Sequence, residues 1–154
     1  MASNHAFEVA IELATRQRDG ARNTLVQLRG HLARAQMQLH QLASYAQETR
    51  QRWSPREGAQ LQPEVLRHQR QFLQRLEHTM QMQQGVVHEH EQRIARAAAV
   101  LAAAEARLAS LRQVLERRLR ALAQQQARRE QKQTDELAMQ RHVRGAGRQL
   151  TQGI

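Results

Sequence analysis

Apolar residues return along this chain every three or four positions, in a seven-residue cycle. From Phe7, alternating steps of four and three reach Ile11, Ala14, Arg18, Ala21, Leu25, Leu28, Leu32, Ala35, Leu39, Leu42, Ala46, Thr49 and Trp53. Twelve of these fourteen positions are apolar. From Leu66 the same steps reach Gln69, Leu73, Leu76, Met80, Gln83, Val87, His90, Ile94, Ala97, Leu101, Ala104, Leu108, Leu111, Leu115, Arg118 and Leu122, and thirteen of the seventeen are apolar. A heptad held over this many turns specifies a coiled-coil seam, not the face of a short globular helix. It predicts one helix over about residues 4–52 and a second over about 63–143.

Between them lies WSPREGAQLQPEV, residues 53–65. Ser54 and Glu57 have the spacing of a capping box, with Pro55 at a first-turn position and Gly58 able to stop the turn. Pro63 reads as the first turn of the second helix, with Glu64 favourable against its dipole. This is the one strong break. The predicted fold is therefore all-α, a single domain over residues 1–154. It is a long antiparallel two-helix coiled-coil hairpin whose corner spans 53–62. With Trp53 packed near Leu66, Phe7 is expected near Arg112, and the rest of the second helix overhangs. Leu115, Leu119, Leu122, Leu137, Met139 and Val143 lie on that overhang without a partner. Residues 145–154 read as a disordered tail. Gly20, Gly30 and Gly85 interrupt the helical pattern, each at a cost of about 1 kcal/mol relative to alanine.

Composition agrees with a rod better than with a globule. Aromatics are 3% of the 154 residues, too few large side chains to fill a wide core. There is no cysteine, hence no disulfide or thiolate metal site. The longest apolar run, Ala97 to Ala104, falls far short of the roughly 20 residues of a membrane span. The N-terminus lacks a secretory signal pattern. A cytoplasmic protein without direct membrane insertion is expected. The net charge of +10 admits nucleic acid, acidic lipid or acidic protein surfaces as partners.

Catalytic signatures are missing. The chain has no glycine-rich phosphate loop, no GxSxG and no thiol nucleophile, so it reads as non-enzymatic, with no cofactor. His88-Glu89-His90-Glu91 invites a metal hypothesis, but residues two apart on a helix point about 200° away from each other. His90 occupies the seam as a polar register mark, and His88 is expected to be solvated. Thr49 and Gln69 fall at one level and would form a polar layer. Arg18 would extend its charge out past the alanine-rich section near Leu101.

The four aromatic residues are Phe7, Tyr45, Trp53 and Phe72, three of them gathered around the two prolines. With Leu39 at heptad position a and Leu42 at d, Gln38 and Tyr45 fall at g. With Leu73 at a and Leu76 at d, Phe72 and Thr79 also fall at g. The two g rows of an antiparallel pair share one edge, which brings Tyr45 and Phe72 to one level. A half-exposed aromatic patch is predicted there, with Gln38, Leu42 and Leu76 around it. The plain alternative is that both rings widen the seam as side packing. Polar or charged residues usually hold this position, which favours a binding anchor.

LHQLASYAQETR, then HQRQFLQRLEH, then REQKQTDELAMQR resemble, in order and spacing, the flagellar type III export protein FliJ family, over about residues 5–144. The resemblance implies a two-helix coiled coil similar to the central stalk of rotary ATPases. It implies a protein that stimulates the export ATPase FliI, contacts the export gate protein FlhA and handles export chaperones. The gate-contacting positions of the family match Gln38, Leu42, Tyr45, Phe72 and Leu76. The family often has a second aromatic one turn after the tyrosine, where this chain has Thr49. Both termini would meet the ATPase, through Phe7, Ile11, Leu115, Arg118, Leu119 and Leu122. The overhang suits an acidic pore, since Arg107 to Arg148 holds 11 basic and 4 acidic residues. The competing readings are an injectisome ATPase stalk, a nucleic-acid-binding coiled coil and a plain homodimeric spacer. Against nucleic acid, the arginines alternate with glutamate and seam leucines instead of lining one face, and no nucleic-acid partner is expected.

Overall fold

A computed structural model of the chain describes residues 2–54 and 62–153. It contains two helices, α1 (Ala2–Arg52) and α2 (Pro63–Gln152), and no strand among the described residues. The heptad explains which side of each helix is covered. Every predicted seam position of α1, from Phe7 to Leu42, and on to Ala46 and Thr49, is buried or half-buried, as is Trp53 just beyond the helix. On α2 the two exceptions are its ends, Leu66 and Leu122, both exposed. Ala14, Leu25, Ala35, Ala46, Leu76 and Leu108 form the buried apolar set, and Thr49 is the buried polar residue. Half of that set is alanine, so the seam is narrow.

The residues group into two compact units. In the first, Leu13–Ala106, α1 and α2 run antiparallel. Arg22 faces Glu105 (3.8 Å), His31 stacks on His90 with ring centroids 6.1 Å apart, and Tyr45 meets Phe72. The Gln83 side-chain amide donates to the Ala35 carbonyl (3.0 Å) and to Gln38 Oε1 (3.1 Å), so this seam glutamine clips the two helices together. In the second unit, Met1–Glu12 with Arg107–Ile154, the Arg118 guanidinium lies 4.9 Å over the Phe7 ring and donates to Ser3 Oγ at 2.7 Å. The cation–π contact lets a charged residue occupy a seam position. Phe7 also lines a small recess with Leu111, next to the expected Arg112.

Helix ends follow local chemistry. Arg50 and Arg52 lie in the last turn of α1, where positive charge opposes the dipole. The Ser54 hydroxyl donates back to the Arg50 carbonyl (3.1 Å), so Ser54 closes α1. Pro55, Glu57 and Gly58, the remainder of the expected corner signals, lie outside the described residues. Pro63 opens α2 with Glu64 in its first turn, as predicted.

Three expectations change. Leu115, expected on the overhang without a partner, is half-buried, because the covered part of α2 runs on to Arg118 beside Phe7 and Ser3. The stretch from residue 145 onward, read as a disordered tail, is helical to Gln152. Arg, Gln and Leu favour helix there, and the Thr151 hydroxyl returns to the Gly147 carbonyl (3.1 Å), so the glycines do not end it. Arg18 does not reach past the alanine-rich section; its guanidinium turns back onto Asp19 (2.9 Å). His88 is exposed as expected and bonds Gln92 (3.1 Å). His90 is half-buried, with Nδ1 unpartnered.

A Cβ built at Gly20 or Gly85 meets no atom within 4 Å. Neither glycine is needed for close approach, so each carries only its helix penalty. Gly20→Ala and Gly85→Ala should each stabilise the protein by about 1 kcal/mol in chemical denaturation. His90→Leu, which removes a buried nitrogen without a partner, should stabilise it by about 1 kcal/mol by the same assay.

Candidate functional site

Tyr45 and Phe72 meet as the heptad geometry predicts. Their centroids are 6.3 Å apart and their planes cross at 78°. Tyr45 keeps 47% of its surface exposed and Phe72 38%, although each gives the other an edge-to-face partner. A pair with this much surface left can both pack and bind.

Trp53 joins them. Its ring lies 5.5 Å from Phe72 at 67°, so Phe72 is the hub of three rings. The seam assignment places Trp53 near Leu66; Trp53 is half-buried and Leu66 is 44% exposed. Trp53, just past the end of α1, is eight residues, a little over two turns, beyond Tyr45. That spacing was readable in the sequence. The heptad reading places Trp53 at the seam and does not by itself show that it also meets Phe72. Thr49, between them, is 4% exposed and donates its hydroxyl to the Tyr45 carbonyl at 2.7 Å. Its hydrogen bond is thus satisfied within α1. Gln69 is half-buried on α2 and lines the same recess as Thr49.

The rings border an open recess of about 790 Å³, which Val65 also lines. Arg52, His68 and Arg75 stand around it, and no acidic side chain among the described residues lines it. Arg52 makes a loose contact with Glu48 (3.9 Å) in which both side chains are mostly exposed. Such a pair contributes little.

The other expected contact residues are arranged differently. Leu42 is half-buried, Leu76 is 9% exposed within the seam, and Gln38 is held by Gln83. The structure therefore brings Tyr45 and Phe72 together with Trp53 in the recess, while Gln38, Leu42 and Leu76 lie outside its lining.

In the second unit, Phe7, Ile11, Leu115 and Arg118 are half-buried, while Leu119 and Leu122 are each 50% exposed. From Leu119 to Thr151 every residue of α2 is exposed, including Leu137, Met139 and Val143. No group of three or more metal-ligating side chains occurs among the described residues. No helix among them is long and apolar enough to cross a membrane.

Two ring pairs at Phe72 should each couple by about 0.5–1.5 kcal/mol in double-mutant cycles with Tyr45 and Trp53. Phe72→Ala should accordingly destabilise the protein more than Tyr45→Ala, measured by denaturation. A family model described as flagellar FliJ protein matches residues 3–147. No curated protein and no solved structure matches the chain.

Proposed function

This chain belongs to the FliJ family of flagellar export components, and from that premise we propose that it is a non-enzymatic stalk and adaptor of flagellar protein export. It stimulates the export ATPase FliI, contacts the export gate protein FlhA and escorts export chaperones. It works in the cytoplasm, peripheral to the inner membrane through the export apparatus. The observation that carries this reading is the half-exposed Tyr45–Phe72 pair, formed across two antiparallel helices. Those are positions that the family resemblance assigns to gate contact.

Gln38 and Leu42 flank the pair on α1, and Leu76 supports it from within the seam. With Thr49 buried in place of a second exposed ring, the gate contact rests more heavily on Tyr45 and Phe72. For the ATPase, support comes from the unpartnered part of α2. Leu119 and Leu122 offer apolar contact on a segment whose basic excess attracts an acidic surface from a distance. Phe7, Ile11, Leu115 and Arg118, half-buried in the same unit, complete the proposed contact.

Tyr45→Ala with Phe72→Ala should weaken gate binding at least about tenfold in calorimetry while helicity by circular dichroism stays near wild type. A collapse of helicity would make both rings seam packing and remove the gate reading. Leu119→Glu with Leu122→Glu should lower stimulation of the ATPase by about tenfold or more and leave gate affinity unchanged. Equal loss of both activities would contradict separate contact surfaces.

A further inference from the structure

We propose that the recess around Trp53 is a docking pocket for an acidic segment of a partner protein, with Trp53 as its anchor and Arg52 and Arg75 as its charge clamp. The proposal rests on the gate-binding reading and deepens it, since it identifies the chemistry of the segment that the gate protein must present.

Three observations carry it. First, Trp53 and Phe72 are edge-to-face at 5.5 Å, and with Tyr45 they make an aromatic wall contributed by both helices. Tyr45, Phe72 and Val65 retain 47%, 38% and 41% of their surface, so the wall is open to a ligand. Trp and Tyr in a partly enclosed pocket are the residue types that most often dominate binding energy. Second, the two arginines beside the recess are only weakly compensated by the described residues. Glu48 touches Arg52 only at 3.9 Å with both groups exposed, and no carboxylate among the described residues pairs with Arg75. Third, no acidic side chain among the described residues lines the recess, and Gln69 and Gln71 supply neutral polar groups there.

An apolar wall flanked by Arg75, without a carboxylate partner among the described residues, and by Arg52, held only by a loose exposed contact to Glu48, fits a segment with an apolar or aromatic side chain between carboxylates. The side chain would lie against Trp53 and Phe72. Carboxylates on either side would reach Arg52 from α1 and Arg75 from α2, each able to give paired N–H bonds. A second copy of this chain is disfavoured as the occupant. Its own recess carries the same cations, and the chain is +10 overall, so a symmetric contact would bring like charges together.

The test titrates the full-length chain with the purified cytoplasmic part of the gate protein. Trp53→Ala should weaken binding about tenfold or more, and Trp53→Phe should restore most of it. Arg52→Glu with Arg75→Glu should weaken binding to a similar extent and flatten its dependence on salt, which in the wild type should be steep. Circular dichroism melts accompany each variant, and Trp53→Phe keeps the test valid if Trp53→Ala loses structure. Tyr45→Ala with Phe72→Ala separates the two claims. If that variant binds weakly while the Trp53 and arginine variants bind like wild type, the pocket proposal is overturned and the gate reading stands. If all bind like wild type, both fail. A dimer in sedimentation that Trp53→Ala dissolves would assign the recess to a second copy and overturn the proposal.

Discussion

A seam of alanine and leucine, repeated every seven residues, holds α1 against α2. It is thin. Ala14, Ala35 and Ala46 are buried beside Leu25, Leu76 and Leu108, and no described side chain reaches complete burial. Stabilisation at roughly 25 cal/mol per Å² of buried apolar surface is therefore spread over many half-covered positions. No single residue acts as the centre of a core. Alanine is useful here for two reasons. It has the highest helix propensity, and it adds little width to the seam. The shortage of large aromatics follows from the same geometry, since a two-helix seam has no interior to fill.

A thin seam also tolerates polar residues. A glutamine at the centre of a wide core would leave amide groups unmade. Gln83 lies close enough to the edge to bond both the Ala35 carbonyl and the Gln38 side chain. Arg118 solves the same problem by laying its guanidinium over Phe7. His90 solves it less completely, stacking on His31 while its Nδ1 lacks a partner. Such positions fix the alignment of the helices at some expense in stability, because a shift of register would bury them against apolar neighbours.

The aromatic residues take the place the seam leaves for them. At the edge of the heptad a ring is covered on one side and open on the other. Phe72 uses its covered side to pack against Tyr45 and Trp53, and all three rings remain beside a recess that water and ligands can enter. In the other unit the half-exposed leucines of α2 have a different setting, with apolar side chains set singly in a basic helix. One surface is preorganised by ring contacts. The other is a linear pattern of charge and apolar side chains.

The sequence alone determined the two helices, their start at Pro63, their antiparallel pairing, the level at which Tyr45 meets Phe72 and the exposure of Leu119 and Leu122. These follow from periodicity and from one break, and periodicity is a local property that survives without coordinates. The fate of Trp53 was decided only by tertiary structure, as were the clip from Gln83, the stack of His31 on His90 and the turn of Arg18 onto Asp19. The first three depend on which rotamer a side chain takes once a particular neighbour across the seam is in place, whereas Arg18 turns to its own neighbour in the chain. A heptad letter says which face a residue occupies; that the Trp53 ring meets Phe72 is settled by contacts a few ångströms long between residues distant in the chain.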